Sequence, residues 1–157
     1  MGFSTFSGPL RAGTVKENAG INTGLVVLAQ QGVLTFSNTT AKDLFILPAG
    51  AFIVDIGITT TVAFNAGTNN VLTIRTKAGS PTNLAVLTAT SANIAVGFTA
   101  PTLQTGGIST FANVGTSDLT IEGLFAGTGT AATTGSAIIT CLYIQRAKDG
   151  SFNPASA

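Results

Sequence analysis

The fold turns on the stretch Leu47-Pro48-Ala49-Gly50-Ala51-Phe52-Ile53-Val54-Asp55-Ile56-Gly57-Ile58-Thr59-Thr60-Thr61. Proline presets one backbone angle and glycine accepts a positive φ, so Pro48-Ala49-Gly50 reads as a turn. Behind it, Phe52, Val54, Ile56 and Ile58 alternate with Ile53, Asp55 and Gly57, which is the period of a β-strand. The first set is expected on a core face and Asp55 on the wetter one. The run is rich in Ile, Val, Thr and Phe, whose branched or aromatic side chains pack well on a pleated surface.

The same grammar extends in both directions. Apolar runs separated by turn residues about every ten positions predict strands near Leu25–Gln30, Val33–Ser37, Leu44–Leu47, Phe52–Phe64, Val71–Thr76, Leu84–Ala89, Ile94–Phe98, Ile108–Ala112, Leu119–Phe125 and Ala137–Arg146. No segment carries a convincing 3.6-residue stripe. Leu119, Ile121 and Phe125 share one face, with Thr120 and Glu122 opposite. In the last strand Ala137, Ile139, Cys141 and Tyr143 oppose Ile138, Leu142 and Ile144, so both faces are apolar and both are expected to be covered, one of them by another subunit. The tract Gly127–Gly135 reads as a mobile hairpin loop. The fold class is therefore all-β, an antiparallel β-sandwich of jelly-roll type, spanning residues 24–147. Residues 1–23, rich in Gly and carrying few large apolar groups, read as an extended N-terminal arm, and residues 148–157 as a short tail.

Composition limits function. Of 157 residues, 45% are hydrophobic and only 8% charged, with seven Lys and Arg against six Asp and Glu. A formal charge of +1 builds no field to gather nucleic acid or an anionic membrane. The uncharged stretch Gly123–Gln145 is broken by Gly and Thr, leaving Ala137–Ile144 as a continuous apolar run, far short of the roughly 20 residues that span a bilayer. Low net charge with a mean hydropathy of +0.48 instead favours association with protein. No secretory or lipidation signal is evident near Met1. The single cysteine agrees with folding in a reducing compartment.

The residues for chemistry are sparse. There is no histidine, which removes the commonest general base and metal ligand. Cys141 lies within an apolar strand and reads as a small core side chain. Asp55 and Glu122 are the carboxylates placed in confident strands; a glycosidase pair would need them about 5 to 9 Å apart. Without Trp and with one Tyr, no sugar platform is evident, and surface carboxylates, solvated or paired with Arg75 or Arg146, are the expected reading. Gly127-Thr128-Gly129 lacks the Lys of a phosphate-binding loop, and Thr14 with Glu17 has capping-box spacing for one helical turn at most. No catalytic, cofactor-binding or metal-binding residue is assigned, and no enzymatic activity is expected. The arm is more informative: Phe3, Phe6, Leu10, Arg11 and Val15 are candidate partner contacts, since an extended segment cannot bury its apolar groups alone.

Phe6-Ser7-Gly8-Pro9-Leu10-Arg11-Ala12-Gly13, Leu47-Pro48-Ala49-Gly50-Ala51 before the long strand, and the late Gly- and Thr-rich loop followed by Ala137-Ile138-Ile139-Thr140 and Tyr143 together resemble the small β-rich virion proteins of tailed bacteriophages, notably head decoration or cement proteins. The resemblance implies a β-sandwich on the outer face of an icosahedral head, often trimeric, made in the host cytoplasm. It implies the major capsid protein and further copies of the chain as partners, with no nucleic acid, membrane or cofactor. A head-fibre or tail-associated module that binds a receptor or glycan through Thr59–Asn70 and Phe125–Ser136 is the alternative.

Overall fold

The computed structural model describes residues 26–90 and 93–146. The arm residues Phe3, Phe6, Leu10, Arg11 and Val15, and the tail at 148–157, lie outside the described residues. Among the described residues, nine strands form two antiparallel sheets: β1 (Val27–Thr35), β2 (Lys42–Leu47), β3 (Phe52–Val62), β4 (Asn69–Thr76), β5 (Asn83–Thr90), β6 (Gly97–Thr99), β7 (Thr102–Leu103), β8 (Leu119–Gly127) and β9 (Ser136–Ile144). One sheet runs β1-β9-β3-β6 and the other β2-β8-β4-β5-β7.

This order is a nested hairpin rolled into a sandwich. β4 pairs with β5, β3 with β6, β2 with β8 and β1 with β9, each pair enclosing the one before. The roll is sealed by β3 against β9 in one sheet and β4 against β8 in the other. Eight of the strands thereby trace the jelly roll, and the two-residue β7 extends the second sheet. The sequence-based expectation of an all-β jelly-roll sandwich holds.

The inner faces meet in one core. Leu34, Leu47, Ile56, Ile58, Leu72, Ile74, Ile121 and Ile139 are almost wholly excluded from water, and each such side chain contributes about 1.5–3 kcal/mol. Phe64 and Phe125 stack at 5.0 Å between ring centroids. Gly135 (φ 149°) faces this pair, where an added Cβ would lie 2.3 Å from the Phe64 ring, so only glycine fits there.

Several expectations are corrected. Leu25–Gln30 and Val33–Ser37 do not form two strands; the described residues from Val27 to Thr35 are one strand, with Gly32 pressed against Leu44 of β2 where a Cβ would have no room. Phe52 and Val54 are not on the core face as expected: Phe52 is half-buried in the outward row of Val27 and Ile144, Val54 is exposed, and Ile53 takes the inward place. A bulge between Ile53 and Asp55 inserts one extra position, so Ile53 is buried, Val54 is exposed, and the inward series resumes at Ile56. Ile108–Ala112 is a short helix, α1, not a strand. Phe111 within α1 and Val114 just after it pack against the core. Ile94 makes only an isolated bridge to Phe64, and regular pairing begins at Gly97.

Gly127–Gly135 is braced rather than loose. Thr128 N–H donates to Asn69 O, and Gly67 N–H and Thr68 N–H donate to Thr130 O and Thr128 O. Asn65 Oδ1 accepts from the Thr133 and Thr134 N–H groups at 2.9 and 3.0 Å, while its amide donates to Thr133 Oγ1. One asparagine thus ties the loop to the turn after β3.

Candidate interaction surface

Each sheet has an outward face, and the two are built differently. On the four-stranded sheet the register aligns Val27, Ile144 and Phe52 in one row, Ala29, Leu142 and Asp55 in the next, Gln31, Thr140 and Gly57 in a third, and Val33, Ile138, Thr59 and Phe98 in a fourth. Val27, Val33 and Val54 are roughly half exposed, and Phe98 is 68% exposed although it lies over Gly57. Gly57 makes this contact possible, since a Cβ there would already touch the ring at 3.0 Å. Asp55 is the one charged side chain in these rows. At the end of the sheet the guanidinium of Arg146 stacks 4.8 Å above the Phe52 ring and donates to Ala112 O, holding α1 to the sandwich.

On the five-stranded sheet the register lines up Asp43, Glu122 and Arg75 across β2, β8 and β4. Arg75 Nε donates to Glu122 Oε1 at 2.6 Å, and the carboxylate is buried beneath it. Lys77 Nζ reaches both oxygens of Asp43, at 3.0 and 2.7 Å, with both side chains more than half exposed. That hydrogen bond and the Asp43 charge hold Lys77 above the usual lysine range. Asn69, Val71, Thr73, Val86, Thr88 and Thr90 fill the remaining outward positions of β4 and β5, and Ile46 of β2 stands 54% exposed on the same face.

A second apolar zone adjoins the first face. No charged residue occurs between Lys77 and Asp118. Within this stretch Val96 just before β6, Phe98 in β6, Leu103 in β7 and Ile108 at the start of α1 stand exposed where the chain passes from one sheet to the other. The edges there are only three and two residues long, which offers little template for strand addition.

The residues considered for chemistry are dispersed. Asp55 points outward from the four-stranded sheet and Glu122 outward from the five-stranded one. Packed sheets lie about 10 Å apart, so these two carboxylates cannot flank one glycosidic bond. Cys141 is buried in β9, and burial pushes its thiol up to about 12, far from the range of a reactive thiolate. Among the described residues, no three of His, Cys, Asp and Glu gather as metal ligands. No described helix is long and apolar enough to cross a membrane. The loop residues proposed for recognition are largely occupied with one another, Asn65 with Thr133 and Thr134, and Asn70 with the backbone of Ala66. Sequence reasoning missed the exposure of Val54, because the bulge that exposes it leaves no mark on the alternation.

The molecule is thus a jelly roll with an apolar outer sheet face and no assembled reaction centre among the described residues. No family model matches the chain, and no curated protein matches it. Its fold is similar to that of a chain in the acidic stable capsid structure of Helicobacter pylori bacteriophage KHP30, with a TM-score of 0.53, 14% identity, and coverage of 76% of this chain and 88% of that one. A chain of the cyanophage Pam1 capsid asymmetric unit aligns at a TM-score of 0.46 and 16% identity, over 86% of this chain and 94% of that one.

Proposed function

We propose that this chain is a structural protein of a tailed-phage virion, of the decoration or cement type, which forms homotrimers on the outer surface of the head and stabilises the shell through contacts with the major capsid protein. It performs no catalysis in this reading. The observation that carries the proposal is the apolar outer face of the β1-β9-β3-β6 sheet, continuous at Phe98 with the uncharged side of the sandwich. An exposed patch of this kind marks a protein interaction site more often than a solvated surface. Likeness of fold to a chain of the KHP30 capsid is in keeping with a virion location; because jelly rolls also serve lectins and cupins, the fold alone does not assign the role and the apolar face carries it.

Mechanistically, many copies each add a modest contact, and because they bind the assembled shell and not its separated subunits, they stabilise it by mass action. The receptor- or glycan-binding alternative draws less support, since the loops it needs satisfy their own polar groups. Purified protein, offered in parallel to heads lacking it and to host cells, is expected to saturate the heads and ignore the cells. Binding to cells or a glycan array without binding to heads would overturn the decoration reading.

A further inference from the structure

The four outermost strands, β1 and β6 in one sheet and β2 and β7 in the other, are guarded unequally. β6 and β7 are three and two residues long. β2 is broken by a bulge between Asp43 and Phe45 and carries Lys42 and Asp43. Short length, bulges and charge are the ordinary means of keeping an edge from pairing with another strand. β1 uses none of them: its nine residues keep an unbroken register with β9 and include no charge and no proline.

Hydrogen bonds show where this edge is open. In an antiparallel strand the N–H and C=O of one residue point to one side and those of the next residue to the other. Phe36 N–H donates to Gly135 O in continuation of the β1-β9 ladder, so the even-numbered residues face β9 and the odd-numbered ones face away. At the far end the outward groups are taken up within the chain. Thr35 N–H donates to Asn38 Oδ1, Asn38 N–H donates to Thr35 O, and Lys42 Nζ donates to Val33 O at 2.9 Å. β2 closes in on the same half, with Leu44 against Gly32. The outward N–H and C=O of Val27, Ala29 and Gln31 have no partner among the described residues, and all three residues are exposed.

We propose that this edge docks β1 of a second copy of the chain, paired antiparallel about a two-fold axis at Ala29, so that the four-stranded sheets of two copies become one. Ala29 then lies opposite Ala29 of the other copy, with Val27 opposite Gln31 on either side, giving about six backbone hydrogen bonds. This register pairs all three open residues of both copies. Moving the axis toward Val33 would set a strand against a carbonyl that Lys42 occupies. Because β1 holds no charge, two copies meet without like-charge repulsion. The inference goes beyond the function proposed above: a two-fold contact does not close a trimer, so it joins copies that belong to different trimers.

The test uses the full-length chain in solution, with one added cysteine per chain and a short bis-maleimide as linker, the buried Cys141 taking no part. Ala29 sits about 5.5 Å from its counterpart, so Ala29→Cys chains are expected to link into dimers at least tenfold faster than Val33→Cys chains, whose positions lie about 26 Å apart in this register. Mixed Val27→Cys and Gln31→Cys chains are expected to link to each other faster than either links to itself. Adding Gln31→Pro, which removes an outward N–H and leaves the ladder to β9 intact, is expected to abolish the Ala29→Cys advantage. The cysteine comparison stands without the proline variant, should that chain fail to fold. Equal linking rates for Ala29→Cys and Val33→Cys overturn the proposal. So does an Ala29→Cys thiol that resists N-ethylmaleimide, since the edge is then covered by something else. Trimers in sedimentation equilibrium without the Ala29 link would sink this contact and leave the decoration reading standing; the Ala29 link in protein that ignores heads would do the reverse.

Discussion

The outer faces of the two sheets share a backbone architecture and differ in what they ask of their surroundings. The five-stranded sheet carries a row of paired charges, Asp43 with Lys77 and Glu122 with Arg75, beside threonines, valines and one exposed isoleucine, Ile46. Its charged groups are satisfied within the chain or by water. The four-stranded sheet presents Val27, Val33, Val54 and Phe98 with a single carboxylate, and nothing within the described residues covers them. Charge placement, more than total hydrophobicity, separates the face that remains wet from the face suited to a partner.

The sharpest way to break this comparison is to move charge across it. Val33→Asp combined with Val54→Asp should weaken self-association about 100-fold, equivalent to ~3 kcal/mol, from lost apolar burial and charge desolvation. The matching pair on the other sheet, Thr73→Asp with Thr88→Asp, should leave it nearly unchanged; equal losses in light scattering would show that the faces are not distinct. Next in size, Arg75→Ala leaves Glu122 covered without its partner and should lower unfolding stability by about 2 kcal/mol in urea, with association intact.

A smaller effect belongs to the interior between the faces. Thr60 is buried and its hydroxyl has no hydrogen-bond partner among the described residues, so Thr60→Val, which keeps the shape, should raise stability by about 1 kcal/mol in thermal or urea unfolding. Smallest is Lys77→Met, since both members of that pair are in water. Lys77 titrates above its ordinary value, so any contribution is complete below the unfolded lysine value near 10.4 and fades as pH rises through the higher folded one. The variant should differ from the parent only at low salt and below that range, read as the urea midpoint across pH.

Legibility in the sequence followed how local the deciding physics was. Alternation in Leu119–Phe125 and Ala137–Tyr143 is a property of consecutive residues, and those inward faces are as expected. The outward apolar set Ile138, Leu142 and Ile144 is readable in the same way, although among the described residues nothing covers that face. The bulge at Val54 is settled by pairing with β9, far along the chain, and cannot be seen in the strand itself. The helix at Ile108–Ala112 depends on the core beneath Phe111 and Val114, which outweighs the β preference of Ile and Thr. Bracing of Gly127–Gly135 rests on Asn65, sixty-odd positions earlier, where composition suggested only looseness. For the candidate site, the apolar character was readable but its placement was not, since neighbours such as Val33, Ile138 and Phe98 meet only through the register.

The nesting of the hairpins has a consequence for timing. β4 and β5 lie close in sequence and can pair early, whereas β1 must wait for β9, the most distant partner in the fold. Contacts of such long separation form slowly because the intervening chain must first be ordered. The apolar face straddles this last seam, with Val27, Ala29 and Val33 on one side and Ile144, Leu142 and Ile138 on the other. A nascent chain on the ribosome therefore has no complete adhesive face until Ile144 has emerged and the roll has closed, so competence to join other copies is acquired together with the finished fold.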